Sequence, residues 1–85
     1  MSRSSAPRIT LYLTLNCPHC REARRYLQQK GLRFQEFDVN RNLRAQRALA
    51  QMGTRSVPVI MIGDERIDGF DRGRLDEVLR RKTGR

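Results

Sequence analysis

Two hydrophobic periods alternate along the chain, and their order predicts its elements. From Arg8 to Leu13, apolar Ile9, Leu11 and Leu13 alternate with Thr10 and Tyr12, the period of two that a half-buried strand requires. Asn16-Cys17-Pro18 interrupts that strand. The first N–H groups of a helix have no partner inside it, so proline is tolerated there; Pro18 marks a helix start with Cys17 near its N-cap. Cys20, Ala23 and Leu27 then share one helical face, and Gly31 ends the helix. Leu32 to Val39, rich in aromatic and branched residues, reads as a second strand. Asn40 or Asn42 caps a second helix whose buried face is Ala45, Ala48, Leu49 and Met52, with Gly53 as its C-cap. Val57 to Ile62 is a continuous apolar run, as expected of a central strand. Gly63-Asp64 is a turn signal, and Glu65 to Ile67 completes a hairpin. Asp71 caps a last helix with Leu75, Val78 and Leu79 on its apolar face.

The order β-α-β-α-β-β-α predicts an α/β fold, a four-stranded mixed sheet with three helices. Its βαβ unit supplies a parallel pair through a right-handed crossover. At 85 residues the chain makes one domain, 1–85, with a flexible tail over 1–7 and a frayed end in RRKTGR that includes 83–85.

Composition narrows the function classes. The longest strongly apolar stretch, Val57 to Ile62, is broken by Pro58 and far too short to cross a bilayer, so no membrane partner is expected. The segment MSRSSAPR has no apolar core of a secretory leader, and the expected location is the cytoplasm. The net charge of +9 raises the question of nucleic acid. The cations are scattered along the chain, only five aromatic residues are available for stacking, and no recognised binding motif is present. A solvated arginine-rich surface is the simpler reading, and a monomer the default.

The chemistry lies in Cys17-Pro18-His19-Cys20, where the first strand gives way to the first helix. A bridge between cysteines three apart closes so small a loop that it would barely constrain the unfolded chain, so stapling the fold is a poor reason for the pair. The thiolate is the reactive form of cysteine, and a helix N-terminus presents unpaired N–H groups and a positive dipole end that favour it at Cys17. Cys20, one turn on and deeper on the apolar face, suits a resolving thiol: Cys17 attacks a disulfide, and Cys20 then attacks Cys17 to release the reduced product. His19 either tunes the pair as a nearby imidazolium or is a solvent-exposed side chain of small effect. Structural zinc usually takes four ligands. The chain has no Cys or His beyond these three, so no resident metal is expected; a site shared between chains, or a cluster bridging a dimer, is the alternative.

Three motifs in order resemble the glutaredoxin family, over about Ile9 to Leu79. CPHC is similar to the family's CPYC, Arg55-Ser56-Val57-Pro58 to its TVP, and Gly69-Phe70-Asp71 to its GG…D segment. The resemblance implies a thioredoxin fold and a disulfide oxidoreductase, coupled to glutathione or to thioredoxin reductase, with Cys17 and Cys20 catalytic. It implies a cis Pro58 beside the cysteines, with the Val57 backbone turned toward Cys17 to pair with an extended substrate. It places a substrate and glutathione site on Thr14, His19, Ser56, Val57, Pro58, Gly69, Phe70 and Asp71, with Asp71 holding the glutathione amino group. Glutathione is then a co-substrate and no cofactor is permanently bound. The expected partners are disulfide-containing proteins and the reductant. Two departures bear on glutathione: Thr14 and Ala45 stand where many glutaredoxins carry a cation or glutamine that binds its carboxylates, with Arg44 and Arg55 near enough to substitute. With Gly69-Phe70, these departures also resemble the glutaredoxin-like electron donors of ribonucleotide reductase, which thioredoxin reductase recycles, while the proline of CPHC and Asp71 resemble true glutaredoxins. The competing function is an iron–sulfur or metal-carrying module of the same family.

Overall fold

The computed structural model describes residues 7–82. The expected end at 83–85 and the expected tail, apart from Pro7, lie outside the described residues. Seven elements follow in the expected order: β1 (Ile9–Leu13), α1 (Pro18–Gln29), β2 (Gln35–Asp38), α2 (Leu43–Gln51), β3 (Val59–Ile62), β4 (Glu65–Asp68) and α3 (Arg72–Lys82). They form one mixed sheet in the order β2-β1-β3-β4. β1 pairs parallel to β2, Leu13 opposite Asp38, and antiparallel to β3, Tyr12 opposite Val59. β3 and β4 close the hairpin, Ile60 opposite Ile67.

The period-two pattern of β1 decides the layering. Ile9, Leu11 and Leu13 face one side of the sheet, where they join Ile60, Ile62 and Ile67 and meet Cys20, Ala23, Tyr26 and Leu27 of α1 and Leu75, Val78 and Leu79 of α3. The opposite side is a smaller core of Val39, Ala45, Leu49 and Val59, against which Tyr12, Phe37 and Met52 pack. Val57 packs against both cores. No polar or charged side chain is buried among the described residues, so apolar burial is the main force holding the layers together.

Each helix is delimited by the chemistry of its ends. α1 and α2 stop alike. Gly31 donates to the Gln28 carbonyl and Leu32 to Leu27; Gly53 donates to Ala50 and Thr54 to Leu49. That double bond requires a left-handed residue just past the cap, and Gly31 and Gly53 supply it at φ 70° and 78°. The caps themselves are Lys30 and Met52, so Gly53 lies one residue beyond its expected place. Asn42 caps α2, its side chain accepting the Ala45 N–H at 3.0 Å. Asp71 caps α3 through the Arg74 N–H at 3.1 Å.

The differences from the sequence reading have local causes. β2 starts at Gln35, because Leu32 is tied to the end of α1 while Leu32 and Phe34 turn their side chains onto the core without joining the ladder. β3 starts at Val59, because Pro58 has no N–H to give a ladder and the Val57–Pro58 bond is cis. β4 runs one residue further, to Asp68. Arg80, Arg81 and Lys82 of the expected frayed end are helical, anchored by Arg81 to Glu65 at 3.2 Å and Lys82 to Asp64 at 2.5 Å.

Leu11 is wholly buried at the centre of the sheet, whereas Leu43 is 60% exposed. Leu11→Ala therefore lowers unfolding free energy by about 2–5 kcal/mol, and Leu43→Ala changes it by less than about 0.5 kcal/mol, as measured by urea denaturation.

Candidate functional site

β1 delivers the chain to Cys17 at the end of the sheet where β2 also finishes and β3 begins. Cys17 is itself the N-cap of α1, with extended backbone (φ −104°, ψ 114°) and Pro18 as the first helical residue. Its sulfur takes the part usually played by a serine or aspartate oxygen, accepting the Cys20 N–H at 3.2 Å. Its carbonyl accepts the Arg21 N–H at 3.1 Å, the first bond of the helix. Negative charge on Cys17 Sγ is thus met by a backbone donor and the positive end of α1. The thiol also points at the Val57 carbonyl, 3.9 Å away.

The two cysteines are free thiols in different surroundings. Cys17 is half-buried, whereas Cys20 is 1% exposed, beneath the first turn of α1. Burial pushes the Cys20 thiol up to about 12, and the neighbouring Cys17 sulfur adds to the rise. Thr14, which lies beside Cys20, works against both and lowers it. It shares a cavity of about 50 Å³ with Cys20, Leu13 and Leu15.

The segment around Pro58 forms the opposite wall. Pro58 is buried and its carbonyl accepts the Gly69 N–H at 2.8 Å, which ties the Gly69-Phe70-Asp71 turn to the cis bond. The Val57 N–H has no hydrogen-bond partner among the described residues.

The structure brings Cys17, Cys20, Thr14, Val57, Pro58 and Gly69 together through these contacts. The other expected residues are placed apart from the sulfurs. His19 is exposed, with Nδ1 3.3 Å from Glu22 Oε1, and contacts neither sulfur. The Ser56 N–H donates to Thr54 Oγ1 at 3.1 Å, which shapes the loop before Val57. Phe70 is half-buried, edge-on to Tyr26 with centroids 5.9 Å apart, so only part of its ring offers an apolar rim. The Asp71 carboxylate is exposed and engaged as the α3 cap. Among the described residues no group of three or more His, Cys, Asp or Glu is placed to hold a metal ion.

Sequence reasoning missed two features. Tyr26 is buried, donates its hydroxyl to Asp76 and lies beneath Lys30 and Arg72 at 5.4 and 5.8 Å from its ring. Its place three residues after Ala23 on the apolar face was a usable signal. The placement of Thr14 beside Cys20 had none, since it depends on how the loop after β1 bends under α1.

The glutaredoxin sequence model matches residues 9–67. The chain is 38% identical over 82 residues to a glutaredoxin of Pseudomonas aeruginosa, an alignment covering 86% of this chain and 96% of that one. It is 35% identical over 63 residues to the glutaredoxin-like protein NrdH of Escherichia coli, covering 74% and 78%. The solved structure of the E. coli NrdH-redoxin, a glutaredoxin-like protein with a thioredoxin-like activity profile, superimposes with a TM-score of 0.77 at 31% identity, covering 84% of this chain and 93% of that one. With a family match over most of its length and the CPHC pair at the N-terminus of the first helix, the chain belongs to the glutaredoxin family, whose thioredoxin-like fold it shares.

Proposed function

We propose that this chain is a dithiol thiol–disulfide oxidoreductase in which Cys17 is the nucleophile and Cys20 the resolving thiol. The observation that carries it is the pairing of a half-exposed N-cap sulfur with a buried second thiol whose own N–H it accepts at 3.2 Å. Cys17 thiolate attacks one sulfur of a substrate disulfide. The S–S bond breaks, the leaving thiolate takes up a proton, and a mixed disulfide forms on Cys17. Cys20 then loses its proton and attacks Cys17 Sγ. The substrate's second sulfur departs as a thiol, and the substrate has gained two electrons while the chain holds a Cys17–Cys20 disulfide.

The environment times the second step. In the dithiol, burial and the Cys17 sulfur together hold Cys20 protonated. Once Cys17 carries substrate its charge is gone, which removes the coulombic part of the Cys17 contribution; burial, the largest cause, still holds the thiol up, and Thr14 still lowers it. The unpartnered Val57 N–H and the Val57 carbonyl beside Cys17 offer an extended substrate backbone one donor and one acceptor.

For the return to the dithiol we propose thioredoxin reductase over glutathione. Thr14 is turned to Cys20 and leaves no cation at the position that binds a glutathione carboxylate in many relatives. The kinship with NrdH supports the same reading.

NADPH oxidation with thioredoxin reductase and a protein disulfide is expected to turn over in a Cys17-dependent way, Cys17→Ser abolishing it. Turnover with glutathione and glutathione reductase alone contradicts the choice of reductant. Failure of both systems contradicts the oxidoreductase reading and favours the cluster-carrying alternative. Brief alkylation of the dithiol near neutral pH should mark Cys17 and spare Cys20 in a peptide digest; a first adduct on Cys20 reverses the assigned roles. Because the Cys20 thiol is held up to about 12, only a small fraction is thiolate at neutral pH, and that fraction grows as pH rises. Decay of a preformed Cys17 mixed disulfide should therefore accelerate with pH in stopped-flow measurements, and a flat profile excludes Cys20 as the resolving group.

A further inference from the structure

The fold sorts the charges of this chain by face. From Val39 to Gly63 the sequence holds four arginines, Arg41, Arg44, Arg47 and Arg55, and no aspartate or glutamate. All four are exposed, and among the described residues none of their guanidinium groups makes a hydrogen bond or ion pair. Elsewhere among the described residues six cations are matched by carboxylates: Arg24 with Glu36, Lys30 with Asp76, Arg66 with Asp68, Arg74 and Arg81 with Glu65, and Lys82 with Asp64. Of the carboxylates beside the cationic segment, Asp68 holds Arg66, and Asp38, which accepts the Asn40 N–H, is ion-paired to no cation among the described residues. α2 and its flanking loops therefore form a face with four cations and Asp38 alone at its border.

That face also has a groove. A cavity of about 320 Å³ lies between α2 and the sheet, lined by Tyr12, Phe37, Asn42, Arg44, Ala45 and Ala48. Arg44 and Arg47, three residues apart, share the side of α2 on which Ala48 lines the groove. Leu43, 60% exposed, starts the same helix. The groove lies near the reactive end of the sheet: Tyr12 and Phe37 are paired one residue before the ends of β1 and β2, the Val39 N–H bonds the Leu13 carbonyl at 2.9 Å, and Arg55 is two residues from Val57.

We propose that this α2 face docks an acidic, extended segment of the protein whose disulfide Cys17 attacks. The proposal rests on the oxidoreductase reading above and names its substrate class. Carboxylates of the segment meet the unpaired arginines, and an apolar side chain enters the groove beside Tyr12 and Phe37. The segment's backbone continues to the free Val57 N–H, which is why a polypeptide fits this surface better than a nucleic acid. The two rings are half-buried and tilted at 32° to each other, not laid open as a platform for bases. Charge complementarity of this kind acts on encounter and specificity and leaves the chemical step alone.

The test is fluorescence anisotropy on Cys17→Ser protein with a labelled peptide carrying Asp and Glu around one alkylated cysteine. An Asn/Gln counterpart and a single-stranded oligonucleotide of equal charge serve as controls. The acidic peptide should bind about tenfold more tightly than its neutral counterpart, Arg44→Gln/Arg47→Gln should abolish that preference, and salt should weaken it. With Cys17 restored, the same double variant should turn over a small neutral disulfide normally and lose activity on the acidic-peptide disulfide through KM. Equal binding of the two peptides, or an unaffected double variant, overturns the proposal. So does an oligonucleotide that binds more tightly with the same arginine dependence, which assigns the face to nucleic acid. Arginine-dependent peptide binding without turnover of either disulfide upholds the docking surface and refutes the oxidoreductase reading.

Discussion

The arrangement of the site depends on one hydrogen bond, from the Cys20 N–H to Cys17 Sγ. It makes the sulfur the cap of α1, so the same contact that starts the helix also holds the reactive atom. Everything around it serves that placement. β1 is flanked by β2 and β3, so the point where Cys17 leaves the sheet is fixed from both sides. Pro18 gives up no donor that the helix needs, and the cap sets Cys17 at the surface and Cys20 in the core. The difference between the two thiols follows from one helical turn, because the second lies on the face that α1 must bury.

Much of this was legible in the sequence. The alternation of Ile9, Leu11 and Leu13, the proline after Cys17 and the one-turn spacing of the cysteines each reflect a local rule, and local rules survive into the fold. Element ends were less legible where the core competes with the ladder: Leu32 and Phe34 look like strand residues because they are apolar, yet both pack onto the core outside the ladder, and Leu32 is tied to the end of α1. His19 shows the same limit. Its neighbourhood in sequence left two roles open, and the structure turns its ring to Glu22, away from both sulfurs. Thr14 was legible only as the absence of a cation. What it does instead depends on a loop geometry that no period encodes.

Charge was legible in one respect, the acid-free run from Val39 to Gly63, and not in how the fold pairs the rest. Along the chain the arginines look evenly spread. In three dimensions the carboxylates gather on β4, α3 and the outer side of α1 and β2, where they neutralise nearby cations, and α2 is left bare. A long-range consequence of topology thus leaves one side of a small domain with unpaired positive charge. The opposite side is held by ion pairs that are mostly exposed and contribute little stability. The asymmetry therefore concerns recognition more than folding.

The central claim is that Cys17 attacks and Cys20 resolves. Its most direct measurement is the stoichiometry of reaction with an aromatic disulfide reagent whose released thiolate is coloured, followed by mass spectrometry. The account predicts that the dithiol protein releases two equivalents and ends with an internal disulfide and no adduct. Cys20→Ser should release one equivalent and retain one adduct, and Cys17→Ser should react slowly. A wild-type protein that retains two adducts, or a Cys17→Ser protein that reacts as fast as wild type, would contradict it.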